Sequence, residues 1–178
     1  PFYRVDLTQA EASINVLADC SSEEAFEILC SGFGYEDTRQ ESSFYSAVSR
    51  RIIREVTETD VPKSIPSFLE ASLPFFQDAG KDSANLNNKL TELSLLKATQ
   101  TEDASPLFDV FSRGGCILFE GTPSNESVLT LMKMLQVRVV QLASNRNDSD
   151  EPVNIWIDEQ KFILCQSTLT GLGTSRSF

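Results

Sequence analysis

The sequence predicts an α/β fold with a large all-α insertion, in which a helical bundle is attached to a partial parallel sheet. Strand-like runs occur at residues 2–7 and 116–121, the first alternating apolar and polar side chains and the second bounded by glycines. The chain between them has apolar residues at helical spacing instead. A third apolar run, residues 153–157, ends in the adjacent carboxylates Asp158 and Glu159. Together these features predict strands at both ends and helices between them.

Four helices are predicted before residue 105. The first begins at a Ser21–Ser22 cap and ends at Gly32 or Gly34, and the second begins at Ser42–Ser43. The second has an apolar stripe at every fourth position and arginines mostly on the far side. The third begins at Ser64, with Pro66 in its first turn, and Pro74 is expected to end or kink it. The fourth covers residues 83–97. The apolar stripe of the second helix comprises Phe44, Val48, Ile52 and Val56.

The C-terminal part predicts one β–α–β unit. Residues 116–121 form a compact apolar run bounded by glycines, which favours a buried strand. A long helix is expected from a cap at residues 124–126 to about Ala143, followed by a polar acidic loop. Residues 153–158 then predict a second buried strand, parallel to the first and joined to it by a right-handed crossover.

An apolar strand that ends in two carboxylates is typical of a Walker B segment. Open α/β sheets bind ligands at the carboxyl ends of their strands. In a nucleotide hydrolase, Asp158 would hold Mg²⁺, usually through water, and Glu159 would orient or deprotonate the attacking water. The competing interpretation is a core strand followed by a solvated acidic turn. A metal role for Asp158 and a catalytic role for Glu159 are therefore hypotheses.

The phosphate-binding loop that such a hydrolase needs does not occur in these 178 residues. The pattern GxxxxGK[ST] is absent, and Gly80–Lys81–Asp82 is the nearest approach. The chain also begins at Pro1 without a methionine, so we expect a fragment of a larger motor. No apolar run reaches the roughly 18 residues of a membrane helix. With no histidine and no CxxC pair, a zinc site is not expected and buried, reduced cysteines are.

Acidic residues are concentrated in the first part of the chain. Residues 1–105 contain 9 Lys and Arg against 18 Asp and Glu, whereas residues 106–178 contain 6 against 8. Affinity for nucleic acid comes chiefly from basic residues that displace counterions. The first part is therefore expected to suit a basic protein partner better than bare nucleic acid, although the excess of acid could also serve solubility alone.

The order of these parts resembles the TraD/TraG-like coupling ATPases of bacterial type IV secretion and conjugation. Residues 2–7 followed by 13–17 are similar to the strand and turn before the family's all-α domain, with Val16 in place of the expected proline. Residues 44–47 resemble its F-[WY]-x-x-A helix start. Residues 156–159 and 171–176 resemble its LDEF segment and its downstream [AG]-x-x-R pattern, although Gln160 stands where phenylalanine is usual.

The resemblance implies a division into three parts. Residues 1–18 would be a motor-domain strand and lead-in, residues 19–105 the all-α domain, and residues 106–178 part of a RecA-like nucleotide-binding domain with its Walker B segment. Asp158 and Glu159 would be the Walker B pair. Arg176 would be a catalytic candidate that completes a neighbouring subunit's site, as an arginine finger does, or an ordinary surface arginine.

The resemblance also implies a cellular setting. The parent would be a hexameric ATPase anchored in the bacterial inner membrane, using ATP and Mg²⁺, with its Walker A sequence upstream of Pro1. This fragment would be cytoplasmic, would not contact the membrane and would bind no cofactor alone. Its partners would be relaxosome or effector proteins with basic signals and other secretion-system components, with single-stranded DNA as a further candidate.

Two other functions remain open from the sequence. One is a non-catalytic helical adaptor in which the Asp158–Glu159 pair is incidental. The other is a fragment of a different RecA-like or AAA+ motor. A P-loop with membrane helices in a longer version of the gene would favour the coupling ATPase. A P-loop without membrane helices would favour another motor, and neither feature would favour the adaptor.

Overall fold

A computed structural model of the chain describes residues 1–9, 13–36, 43–101, 106–146, 153–158 and 165. Within this part of the chain the fold is mostly helical, with one small parallel sheet. The coarse prediction of a helical bundle attached to a partial sheet is therefore confirmed. The elements, in chain order, are β1 (Phe2–Asp6), α1 (Ser22–Phe33), α2 (Ser43–Thr59), α3 (Ile65–Ala79), α4 (Ala84–Ser94), α5 (Pro106–Arg113), β2 (Cys116–Glu120) and α6 (Glu126–Ser144).

The two strands are neighbours and run parallel. Phe2 lies opposite Cys116 and Asp6 lies opposite Glu120, so the whole of β1 pairs in register with β2. Helices α1 to α5 therefore lie in the sequence between two adjacent strands. A parallel pair needs a crossover connection, and here that connection contains most of the protein.

The predicted helix caps explain where three helices begin. Ser21 forms a capping box with Glu24 at the start of α1, and Ser64 forms one with Ser67 at the start of α3. The Asn125 side chain accepts a hydrogen bond from the backbone N–H of Val128 at 3.1 Å. Each cap satisfies a backbone donor that the first helical turn leaves unpaired.

The structure refines two predictions about helix ends. Helix α1 continues through Gly32 and ends at Gly34, which has the left-handed backbone (φ 76°) that favours glycine. A Cβ atom at Gly32 would lie 2.4 Å from Cγ of Met134, so this glycine allows α1 to approach α6 closely. Pro74 does not end α3, which continues to Ala79.

One hydrophobic core joins the helical bundle to the sheet. It includes Val5 from β1, Phe68 from α3 and Leu131 from α6. Helix α1 packs mainly against α6, while α3 packs against α4. The predicted domain boundaries at residues 18 and 105 stay predictions. The hydrophobic core contains residues from both sides of each boundary.

The sheet is covered on one face. Val5 is buried, and Ile117 and Phe119 pack against the core, whereas Phe2 and Leu118 are exposed. The prediction that residues 116–121 form a buried strand is therefore half right. Among the described residues no helix covers the second face, and Cys116, expected to be buried, is exposed as well.

Candidate functional site

The predicted nucleotide-site residues are only partly described by the structure. Residues 153–158 belong to neither a helix nor a strand, and Asp158 is exposed. Trp156 is 92% exposed and Ile155 is 37% exposed. Glu159 and Arg176 lie outside the described residues. The structure therefore describes the placement of Asp158 alone among the three.

The prediction of a buried Walker B strand at residues 153–158 is wrong for this structure. A buried strand needs hydrogen-bonding neighbours at its edges and apolar cover on its faces. The sheet formed by the described residues contains β1 and β2 alone, so residues 153–158 have no strand partner in it. Their apolar side chains consequently remain in contact with solvent.

Trp156 provides a direct check on this placement. It is the single tryptophan of the chain, so intrinsic indole fluorescence reports on this residue alone. We expect a red-shifted emission typical of a hydrated indole and strong quenching by iodide, because the ring is almost fully exposed. Free N-acetyltryptophanamide is the matched control for full accessibility. Blue-shifted emission with weak quenching would contradict the exposed placement and favour the buried strand.

The carboxyl edge of the sheet is where a ligand is expected in a parallel fold. Asp6 and Glu120 lie side by side there. Asp6 accepts hydrogen bonds from the Thr8 backbone N–H at 2.9 Å and the Thr8 hydroxyl at 2.6 Å, and these bonds lower the pKa of Asp6. Glu120 pairs with Arg4 at 2.8 Å. The lowered pKa keeps Asp6 anionic near neutral pH.

ATP does not fit this edge as the described residues form it. Asp6 and Glu120 place two carboxylates at this edge, and a carboxylate repels the like-charged phosphates of a nucleotide. The nearby Arg4 is already paired with Glu120. Among the described residues no three His, Cys, Asp or Glu side chains form a group that could hold a metal ion. The described part of the chain thus supplies no phosphate cradle here.

A buried polar link joins α1 to α6, and the sequence analysis missed it. Arg138 is 1% exposed. Its guanidinium donates to the carbonyl oxygen of Ala18 at 2.9 Å and to the Glu24 carboxylate at 3.3 Å. That carboxylate also accepts from the Ser21 backbone N–H at 2.8 Å and from the Asn145 side chain at 3.1 Å. One carboxylate therefore caps α1 and anchors α6.

The position of Arg138 in the sequence indicates that its side chain is buried. Arg138 comes three positions after Leu135 and seven after Leu131, both buried, so it lies on the apolar side of α6. A basic residue at such a position needs a partner, because burying an unpaired charge is costly. The identity of that partner could not be read from periodicity, since Glu24 is 114 residues away.

The environment of Glu24 makes the link sensitive to acid. Burial raises the pKa of Glu24, but hydrogen bonds from Ser21 and the charge of Arg138 outweigh it, so the pKa is lowered. A carboxyl group with a lowered folded-state pKa contributes stability above its unfolded pKa and loses it as the pH falls through the folded value. Acidification is therefore expected to weaken the contact between α1 and α6.

A second unassigned surface lies on α3 and is called the α3 track. It consists of Pro66, Leu69 and Leu73, which follow the i, i+3, i+7 spacing of one helix face. Leu73 is 48% exposed, and Pro66 and Leu69 are half-buried. Leu69 itself packs against the core, so the α3 track is the outer border of the same helix face that Phe68 and Phe76 bury.

An open cleft adjoins the first residue of the α3 track. Its volume is about 350 Å³, and it lies between the start of α3 and the chain that follows α4. Leu95, which is 69% exposed, follows one of its lining residues. The cleft is lined by Ser64, Pro66, Ser94, Gln100 and Thr101.

The cysteines do not form a reactive centre in the described residues. Burial raises the pKa of the Cys20 and Cys30 thiols to about 12. Both are therefore protonated near neutral pH and unsuited to nucleophilic attack. Cys116 is exposed and Cys165 is buried. None of the described helices combines the length and the apolar character required to cross a membrane.

Comparison with known proteins finds no matching family model, no matching curated protein and no matching solved structure. The likeness to TraD/TraG-like coupling ATPases thus depends on the residue patterns of this chain. The roles of Asp158, Glu159 and Arg176 stay predictions.

Proposed function

We propose that the chain is a fragment of a TraD/TraG-like coupling ATPase whose helices select substrates for secretion. The main observation that supports this proposal is the order of the helices and strands along the chain. Helices α1 to α5 lie in the chain between β1 and β2, which are adjacent and parallel. A helical bundle inserted between two neighbouring parallel strands is the arrangement that the sequence resemblance implies. The motor sheet and the helical part would then be joined through one hydrophobic core.

The charge distribution supports a substrate-selecting role for the helices. Residues 1–105 carry twice as many acidic as basic residues. Complementary charge speeds encounter with a basic partner and disfavours acidic ones. The proposed partners are therefore relaxosome or effector proteins with basic signals. Other secretion-system components and single-stranded DNA are secondary candidates.

The nucleotide chemistry belongs to the parent protein in this proposal. The parent would be hexameric, anchored in the inner membrane, and would use ATP and Mg²⁺. The described carboxyl edge does not fit nucleotide phosphates, so groups outside the described residues must bind them.

Glu159→Gln in the parent protein tests the enzymatic part of the proposal. We expect ATP turnover to fall by about 100-fold or more, because the amide cannot accept a proton from water. Asp60→Asn is the matched control, since Asp60 is an exposed carboxylate at the end of α2, and it should leave turnover unchanged. The isolated 178 residues should show no turnover. Normal turnover in Glu159→Gln, or turnover by the fragment, would contradict the proposal.

A non-catalytic helical adaptor is the second candidate function. The exposure of Trp156 and Asp158 favours it, because a carboxylate outside a strand is not held in place for nucleotide chemistry. The difference in fluorescence between the parent and its Trp156→Phe variant separates the two, because that difference isolates the emission of Trp156. Indole emission that shifts to the blue when residues upstream of Pro1 are included would support the motor, whereas unchanged exposure would support the adaptor.

A further inference from the structure

Helix α5 stands outside the hydrophobic core that joins the other described helices. Helices α1 to α4 and α6 all contribute buried side chains to that core. Leu107 of α5 is buried, but neither it nor Phe108 or Phe111 belongs to the core of the described residues or packs against it. A helix of eight residues is marginal on its own in water. Helix α5 is therefore held in place by contacts outside the core.

One hydrogen bond attaches α5 to the sheet. The Tyr3 hydroxyl on β1 donates to the Asp109 carboxylate on α5. The same carboxylate pairs with Arg113, one turn later, at 2.9 Å, which holds it in position. Tyr3 and Asp109 are 106 residues apart in the sequence, so this bond forms only when α5 lies against β1.

Two ring contacts attach α5 to α6 and to the residues just after it. The centre of the Phe108 ring lies 5.4 Å from the guanidinium carbon of Arg138, and that of Phe111 lies 5.9 Å from the guanidinium carbon of Arg146. Cation–π contacts of this kind are individually weak. The hydrogen bonds of Arg138 to α1 and to the chain before it do not involve α5. Moving α5 away would therefore uncover one side of the Arg138 guanidinium and leave those bonds in place.

Two glycines join α5 to β2. Gly114 and Gly115 have φ angles of 71° and 138°, in the region that glycine adopts without steric cost. The next residue, Cys116, is already paired with Phe2 in the parallel sheet. Rotation about the two glycines can therefore move α5 away from Tyr3 without disturbing the pairing of the strands.

We propose that α5 is a clasp that opens as a unit about Gly114 and Gly115 while the hydrophobic core stays folded. The hydrogen bond from Tyr3 to Asp109 holds the clasp closed, and opening exposes the Arg138 guanidinium to solvent. Segments with few buried apolar contacts open locally at a lower free-energy cost than the whole protein. The clasp thus controls the access of water to the link between α1 and α6. This device does not depend on the proposed ATPase function.

Native-state hydrogen exchange of the full 178-residue chain tests the opening. Exchange is followed by mass spectrometry in peptides from α5 and α6, at increasing urea concentrations below the unfolding transition. We expect α5 amides to exchange at least about 100-fold faster than the most protected α6 amides. Their rates should depend little on urea, because local opening exposes little surface. Equal rates and equal urea dependence in the two helices would show that α5 unfolds only with the whole protein, which would overturn the proposal.

Tyr3→Phe tests the hydrogen bond that holds the clasp closed. The variant keeps the ring and removes the donor, so α5 amides should exchange about fivefold faster, the effect of one hydrogen bond. The α6 amides should keep their rates. Tyr45→Phe is the matched control, because Tyr45 is 59% exposed at the start of α2, and it should change neither helix. An equal increase in α6, or no increase in α5, contradicts the proposal.

Chemical labelling tests the exposure of Arg138. Phenylglyoxal modifies accessible arginines, and peptide mass spectrometry assigns the modified residue. We expect Tyr3→Phe to speed the labelling of Arg138 by about fivefold and to leave that of Arg51, whose side chain is 65% exposed, unchanged. Faster exchange in α5 without faster labelling of Arg138 would show that the clasp does not cover this residue, against the proposal. The ATP-turnover test changes other residues, so the two proposals can fail separately.

Discussion

Replacing Arg138 with methionine is expected to destabilise the protein by about 3 kcal/mol, at the lower end of the range for breaking a buried ion pair. Methionine retains most of the aliphatic volume but removes every donor. The carbonyl oxygen of Ala18 and the Glu24 carboxylate would each lose a partner. Glu24 keeps its hydrogen bonds to Ser21 and retains some exposure, which limits the loss. Urea unfolding at neutral pH measures the change.

Two further variants separate the ion pair from general packing. Lys133→Met on the same helix is the control and should change stability by less than about 0.5 kcal/mol, as most surface substitutions do. Adding Glu24→Gln to Arg138→Met should cost much less than the sum of the two single changes, because the second change removes the uncompensated charge. The acid dependence of unfolding should also flatten in Arg138→Met. Additive effects and an unchanged pH profile would contradict the pairing.

Replacing Phe68 with alanine is expected to destabilise the protein by about 3–5 kcal/mol, the usual loss for a buried phenylalanine. Phe68 is fully buried on the inner side of α3. Removing its ring leaves a cavity that neighbouring helices can fill only in part. Urea unfolding again provides the measurement, and the slope of the transition should stay constant if the folded state remains compact.

Leu73→Ala on the same helix is the matched control for Phe68→Ala. Leu73 is half exposed, so its truncation should cost less than about 1 kcal/mol. A similar loss in both variants would mean that the outer side of α3 is covered in solution, for example by self-association. The comparison therefore also tests whether the α3 track is exposed in solution.

Local signals predicted the elements of the fold well. Ser21, Ser64 and Asn125 are side chains that can satisfy the free donors of a first helical turn, and helices begin at all three. Alternation and glycine boundaries similarly placed β1 and β2. Helix α5 was not predicted, because its eight residues span about two turns and include phenylalanine and valine, which favour strands.

The sequence alone did not identify which residues contact each other when they lie far apart in the chain. An apolar run such as residues 153–157 predicts a strand, but burial depends on neighbours that the run itself does not encode. The same limit hid the Arg138–Glu24 pair, because periodicity assigns a face to a residue and says nothing about what lies opposite.

The pairing of β1 with β2 has a consequence for how the chain reaches its native state. Arg4 and Glu120 meet across 116 residues of sequence, so β1 leaves the ribosome long before its partner exists. Closing so large a loop is slow compared with forming local helical contacts. Until β2 emerges, Val5 and Leu7 have no strand beside them. An unpaired apolar strand edge can pair with other chains and aggregate. Translation speed and chaperone supply should therefore limit the yield of this protein more than its final stability does.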